Sequence, residues 1–217
     1  MSVEVRTVAV ICAELLGRKL AYAAAIHGYQ TVLKDASEAR LARAMADFAD
    51  TLDYQLRQGQ ITAVIHSSAP ANLAVAPSIE DALRRADLIV DTVHDEAEVK
   101  LELFSLFDKF ALPDAILIST CSASISVSEL AAVTFCPERC IGISVQQRQS
   151  QPDLFELVKG LHSSDRTVAK CVAFLRDIGE ECIARCEPPG PDQTKPPAVD
   201  KSAPDSAAII SELPWAN

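Results

Sequence analysis

Thr7-Val8-Ala9-Val10-Ile11-Cys12-Ala13-Glu14-Leu15-Leu16-Gly17 holds the chain's first strand-like run and the turn after it, and its reading decides the fold. Thr7 to Cys12 is short, apolar and rich in β-branched residues, the pattern of a strand buried on both faces. From Leu15 to Ile26 the apolar residues recur at helical spacing, and Gly28 supplies a C-terminal stop. A strand–turn–helix unit of this kind repeats outward along the chain. Strands are predicted at Thr31 to Leu33, Leu73 to Ala76, Leu88 to Val93, Ala115 to Ser119, Cys140 to Val145, Leu154 to Val158 and Glu181 to Arg185. Helices fall between them: one capped by Ser37 and running to about Leu56, a short one after Thr62, one capped by Ser78, then Glu96 to Phe110, Ser126 to Val133 and Asp165 to Ile178. Strands alternating with helices predict an α/β fold of the Rossmann-like, doubly wound type. Its sheet is mainly parallel, with helices on both faces.

The composition sets the limits of function. The chain has 217 residues, 49% hydrophobic and 23% charged, with a formal net charge of −10. Such an acidic surface repels phosphate backbones and anionic lipid, so neither nucleic acid nor membrane is an expected partner. No apolar run approaches the ~20 residues of a membrane span, and the N-terminus does not read as a signal peptide. A cytoplasmic location is expected. The seven cysteines are odd in number, and Cys136/Cys140 and Cys182/Cys186 lack neighbouring histidines. They read as free thiols, and no metal is expected. Seven of the twelve prolines lie between Pro188 and Pro214. Residues 1–186 are therefore read as the folded domain and 187–217 as an extended or docking tail, with Trp215 as its candidate contact.

The first strand–turn–helix is where a dinucleotide fold carries G-x-G-x-x-G, and here it reads Cys12-Ala13-Glu14-Leu15-Leu16-Gly17. Only Gly17 remains. Asp35 follows at the end of the second strand, where an acid holds ribose hydroxyls. Cys12 strains the tight turn, and Glu14 puts a carboxylate where a diphosphate must lie. At ~5 Å and an effective dielectric near 20, that repulsion is roughly 3 kcal/mol per charge pair. With about 1 kcal/mol of strain added, the loss is about a thousandfold in affinity. No bound cofactor is expected on this reading.

Several stretches together resemble the NAD-binding domain of the L-3-hydroxyacyl-CoA dehydrogenase family. They are VAVICAELLGRKLAYAAAIHGYQTVLKDAS, EDALRRADLIVDTVHDEAEVKLELFSLFD, DAILISTCSASISVSELA, PERCIGISV and ELVKGLHSSDRTVA, in that order. The resemblance implies oxidation of a 3-hydroxyacyl-CoA with NAD, using a His–Glu pair for the proton and a serine and an asparagine for the substrate. The catalytic His position is occupied by Ser144, the asparagine by Gln147 and the serine by Ala123, whereas the acid is kept as Glu156. On the cofactor side the resemblance assigns Gly17, Asp35, Asp95 and Lys100, with Cys12 and Glu14 disrupting the loop. On this resemblance the proline-rich tail is expected where the family's helical C-terminal domain would follow.

Two functions stay open at this stage. One is a domain that has lost NAD binding and catalysis and acts by binding a protein partner, a second copy of itself, or a small ligand in a cleft bounded by Glu14, Asp35 and Asp95. The alternative is a weakly or differently active NAD-dependent 3-hydroxyacyl-CoA dehydrogenase. His94 is a displaced-base candidate beside Asp95, Cys12 a candidate reactive thiol at a helix start, and the polar run around Arg148 a candidate recognition surface. His27 reads as a helix-end cation, and His66 and His162 have no evident partner in sequence.

Overall fold

A computed structural model describes residues 5–121, 124–148 and 152–187. Eight strands form one sheet: β1 (Thr7–Ile11), β2 (Gln30–Lys34), β3 (Leu73–Val75), β4 (Leu88–Asp91), β5 (Ile116–Thr120), β6 (Cys140–Gln146), β7 (Leu154–Lys159) and β8 (Glu181–Cys186). Their spatial order is β3-β2-β1-β4-β5-β6-β7-β8. The first six run parallel. β7 is antiparallel to β6, and β8 runs parallel to β7. Every parallel step within the first six strands is made by a helical crossover. β6 and β7 are separated only by residues 147–153, too short for one, so the chain returns antiparallel.

The helices are α1 (Leu15–Ile26), α2 (Glu38–Arg57), α3 (Ala63–Ser68), α4 (Ile79–Leu83), α5 (Ala97–Phe110), α6 (Val127–Ala131) and α7 (Asp165–Asp177). Their starts follow side-chain chemistry. Ser37, Thr62, Ser78, Ser126 and Ser164 each accept a backbone N–H of the helix they precede. At α6, Glu129 returns the bond to the Ser126 backbone, closing a capping box.

Alternation along the strands splits the core in two. Val8, Val10, Leu33, Val90, Ile118 and Ile143 face α1, α2 and α7, where Leu20, Phe48 and Phe174 are buried. Ala9, Ile11, Ile89 and Leu117 face α4, α5 and α6, where Leu83, Phe104, Phe107 and Leu130 are buried. The sheet is thus covered on both faces, as continuous apolar strands require.

The chain order reverses between β1 and β4, which lie side by side with β2 on one flank and β5 on the other. In open parallel sheets the crevice beyond the strand C-termini at such a switch point is where ligands bind. β1 ends one residue before the sequence pattern suggests. Cys12 still donates its N–H to the Lys34 carbonyl (2.7 Å), but it turns to φ +84° and leaves the ladder.

The turn brings α1 hard against the end of β1. A Cβ on Gly17 would lie 2.0 Å from the Cys12 carbonyl oxygen and 2.7 Å from the Thr92 hydroxyl, so no side chain fits there. Gly17→Ala should therefore force α1 off the sheet and cost about 3 kcal/mol or more. Urea unfolding of the two proteins would measure it, and a difference below about 1 kcal/mol would show that the contact relaxes.

Candidate functional site

Two groups of residues lie at the C-terminal edge of the parallel strands. The first surrounds a cavity of about 440 Å³ at the β1–α1 turn. Ile11, Ile79, Val93, Val99 and Leu103 give it apolar walls, and Cys12, Glu14, Asp35 and Arg40 give it polar ones. Asp35, at the tip of β2, is held from two sides. Its Oδ2 accepts the Ala13 N–H (2.8 Å) and its Oδ1 accepts the Ser37 N–H (2.7 Å). Sequence therefore fixes Asp35 as both the clasp of the turn and a wall of the cleft.

Glu14 is the N-terminal cap of α1, yet its carboxylate makes no bond back to the helix. It reaches across the cleft instead. Oε1 accepts from Arg40 Nη1 at 2.6 Å and lies 3.1 Å from His94 Nε2. Arg40 Nε also lies 3.4 Å from Asp35 Oδ1. The carboxylate at the turn is thus partnered. The charge penalty that an isolated Glu14 would impose on a phosphate is reduced accordingly. The obstruction by its side chain and the engagement of Arg40 remain.

Cys12 is buried at the base of the turn, in a conformation that favours glycine. Thr92 braces it, with its hydroxyl 3.1 Å from both the Ile11 and the Cys12 carbonyls. Burial pushes the Cys12 thiol up to about 11, and the Glu14 and Asp35 carboxylates add to the effect.

The second group centres on Glu156. Ser144 on β6 and Glu156 on β7 are direct cross-strand partners. The Ser144 hydroxyl donates to Glu156 Oε2 at 3.3 Å, Gln146 Nε2 donates to Oε1 at 2.7 Å, and Arg185 Nε donates to Oε2 at 3.1 Å. Both carboxylate oxygens are therefore engaged by donors, and no imidazole is within this group.

The remaining sequence candidates are dispersed. Lys100 does not line the cleft. It is fully buried on α5, and its ammonium donates to Asp91 Oδ2 (2.8 Å), the Ser119 hydroxyl (3.1 Å) and the Thr120 hydroxyl (3.0 Å). All three of its donors are used, so Lys100 serves as the internal counter-ion of a buried acid. Asp95 also lies off the cavity wall and accepts from the Ser124 hydroxyl. His66 pairs with Asp53 (2.7 Å), and His27 Nδ1 bonds the Ala23 carbonyl at the end of α1. Arg148 bonds the Pro152 carbonyl and pairs with Glu181, tying the β6–β7 connection to β8. Ala123 and the tail from Pro188 onward, with Trp215, lie outside the described residues. Among the described residues no three His, Cys, Asp or Glu side chains gather as a metal site would need, and no helix is long and apolar enough to cross a membrane.

Arg40, Thr92 and Arg185 carry no assignment from the sequence, and Gln146 figures there only within the polar run around Arg148. Arg40 alone had a signal, because it stands three residues after the Ser37 cap, on the first turn of the helix that follows the acidic strand end.

A family model described as 3-hydroxyacyl-CoA dehydrogenase, NAD binding domain, matches residues 7–187. A 3-hydroxybutyryl-CoA dehydrogenase of Bradyrhizobium diazoefficiens is 32% identical over 181 residues, covering 83% of this chain and 61% of the relative. Among solved structures, the (S)-3-hydroxybutyryl-CoA dehydrogenase of Ralstonia eutropha superposes with a TM-score of 0.77 at 29% identity, over 86% of this chain and 65% of that one. The Escherichia coli K12 3-hydroxybutyryl-CoA dehydrogenase gives 0.79 at 29% identity, over 87% of this chain and 39% of that one. The chain thus spans about three-fifths of its curated relative's length.

A thiol moved from 9.0 to about 11 holds about a hundredfold less thiolate at pH 8 than an ordinary cysteine. Site-resolved mass spectrometry after iodoacetamide should therefore find Cys12 labelled far more slowly than the exposed Cys186. The Cys12 rate should rise about tenfold per pH unit as pH climbs toward its folded value. Rapid labelling of Cys12 in the folded protein at neutral pH would contradict this.

Proposed function

The chain belongs to the 3-hydroxyacyl-CoA dehydrogenase NAD-binding-domain family, and from that membership we propose that it is a binding domain of the family that does not itself carry out the oxidation. One observation carries the reading. At the position that the resemblance gives to the catalytic histidine stands Ser144, facing Glu156 across β6 and β7. A serine hydroxyl does not accept a proton at neutral pH without a base of its own. The adjacent carboxylate already accepts from Ser144, Gln146 and Arg185. Loss of a positioned base costs about 10² to 10⁴ in rate.

NAD, the cofactor that the family implies, fits these residues in part. The apolar cavity and Asp35 suit the base and ribose of its adenosine half. The diphosphate turn does not suit it. The second loop position must let the phosphates approach the backbone, and here Glu14 projects a side chain bound to Arg40. Cys12 adds a Cβ at φ +84°. No catalytic step through NAD is derived from this site.

A second reading is an NAD-dependent 3-hydroxyacyl-CoA dehydrogenase with an altered loop. The 32% identity to a 3-hydroxybutyryl-CoA dehydrogenase favours it, as does the retention of Asp35 and Glu156. Absorbance at 340 nm separates the two. With NAD and 3-hydroxybutyryl-CoA the purified chain should give no NADH above background. Steady turnover within about a hundredfold of an intact relative's would overturn the binding-domain reading.

A further inference from the structure

We propose that the outer edge of β8 pairs with β8 of a second copy of this chain, antiparallel about Ile183, and so joins two sheets into one. This goes beyond the binding-domain reading and does not depend on it.

The two edges of the sheet differ. β3 is three residues long and is followed closely by Pro77, so it offers little backbone to another strand. β8 runs for six residues, in unbroken register with β7 and without a proline. Five of the six are exposed. Among the described residues no strand lies on its outer side. Such an edge is a template for pairing.

The backbone of β8 shows which groups are offered. Glu187 donates its N–H to the Lys159 carbonyl, and Lys159 stands opposite Cys186. In a parallel ladder this turns the backbone groups of Ile183 and Arg185 toward β7, and those of Cys182 and Ala184 outward. The N–H and C=O of Cys182 and Ala184 are therefore what a further strand would meet.

The side chains select the partner. Glu181, Ile183 and Arg185 share the sheet face of Glu156. Ile183 is 46% exposed, with a carboxylate two residues before it and a guanidinium two residues after. Reversed, this stretch is its own complement. With a two-fold axis at Ile183, Cys182 lies opposite Ala184 of the second copy, and Ala184 opposite Cys182 of the second copy. These pairs bring outward backbone groups together, and each exchanges two hydrogen bonds. Ile183 then meets its own copy at the close, non-hydrogen-bonded spacing of about 4.5 Å between Cα atoms. At both ends Glu181 meets Arg185 of the second copy. Within one chain Glu181 already pairs with Arg148, and Arg185 with Glu156. The pairing thus links them into rows of alternating charge that cross from one copy to the other. Moving the axis to Ala184 sets Glu181 against Glu187 and Ile183 against Arg185. Moving it to Cys182 sets Arg185 against Gly179. Neither register matches the charges.

Sedimentation of the full chain from micromolar to submillimolar concentration tests this. The chain should pass reversibly from monomer to dimer. Ile183→Lys sets two ammonium groups against each other and should weaken the dimer about tenfold or more. Ala184→Pro removes an outward N–H and leaves the β7–β8 ladder its bonds, so it should weaken the dimer likewise. Thermal melts confirm that both variants are folded. Under mild oxidation Ile183→Cys should give a disulfide between copies, mapped by mass spectrometry to residue 183 on both sides, because opposed strand positions at that spacing lie within disulfide reach. A chain that stays monomeric throughout, whether the edge is bare or covered by its own residues 188–217, would overturn the proposal. A dimer that persists unchanged in Ile183→Lys and Ala184→Pro would also overturn it, since its contact would lie elsewhere.

Discussion

The contact between α1 and the end of β1 governs the rest of the molecule. Gly17 leaves no space for a Cβ beneath the Cys12 carbonyl. The Thr92 hydroxyl reaches that same carbonyl from β4's end, and Asp35 takes the Ala13 N–H from β2's end. Three parallel strands are thereby pinned to one helix start. Cys12 is held at φ +84°, a conformation that costs a non-glycine residue on the order of 1 kcal/mol. The turn is thus held with a residue other than glycine at its tightest point. The scaffold at this point is therefore set by packing, and the side chains that line the cleft are set apart from it.

That separation leaves the side chains at the cleft free to differ without change to the fold. The core depends on strand alternation and on Leu20, Phe48, Phe104, Phe107 and Phe174, none of which faces the cleft. The cleft depends on a few side chains at strand and helix ends. Glu14, Arg40 and His94 form a polar strap across the turn, and Ser144, Gln146 and Arg185 surround Glu156. Both sets can vary without loss to the core.

The fold was legible in the sequence because buried parallel strands and capped helices are local patterns. Every predicted element is present, with ends shifted by a residue or two. The reversed direction of β7 has no signature in the strand's own residues, although the short segment after Gln146 implies it. The site was legible only where one residue type suffices, as for Asp35, Gly17 and the Ser144–Glu156 pair. Lys100 looked like a cleft residue, yet the structure buries it against Asp91, Ser119 and Thr120. A pairing between distant strands has no local signature. Asp95 lies off the cavity wall for a related reason: a loop residue after a strand can turn toward either neighbour. The pairing of Glu14 with Arg40, 26 residues away, could not be read from spacing.

On the proposed reading, Glu14 and Cys12 close the β1–α1 turn to a diphosphate. An amide-resolved NMR titration with NAD reports on that turn directly, through the signals of Ala13 and Gly17. These should stay in place until NAD reaches millimolar concentration. Saturable shifts of both signals at micromolar NAD would contradict the claim.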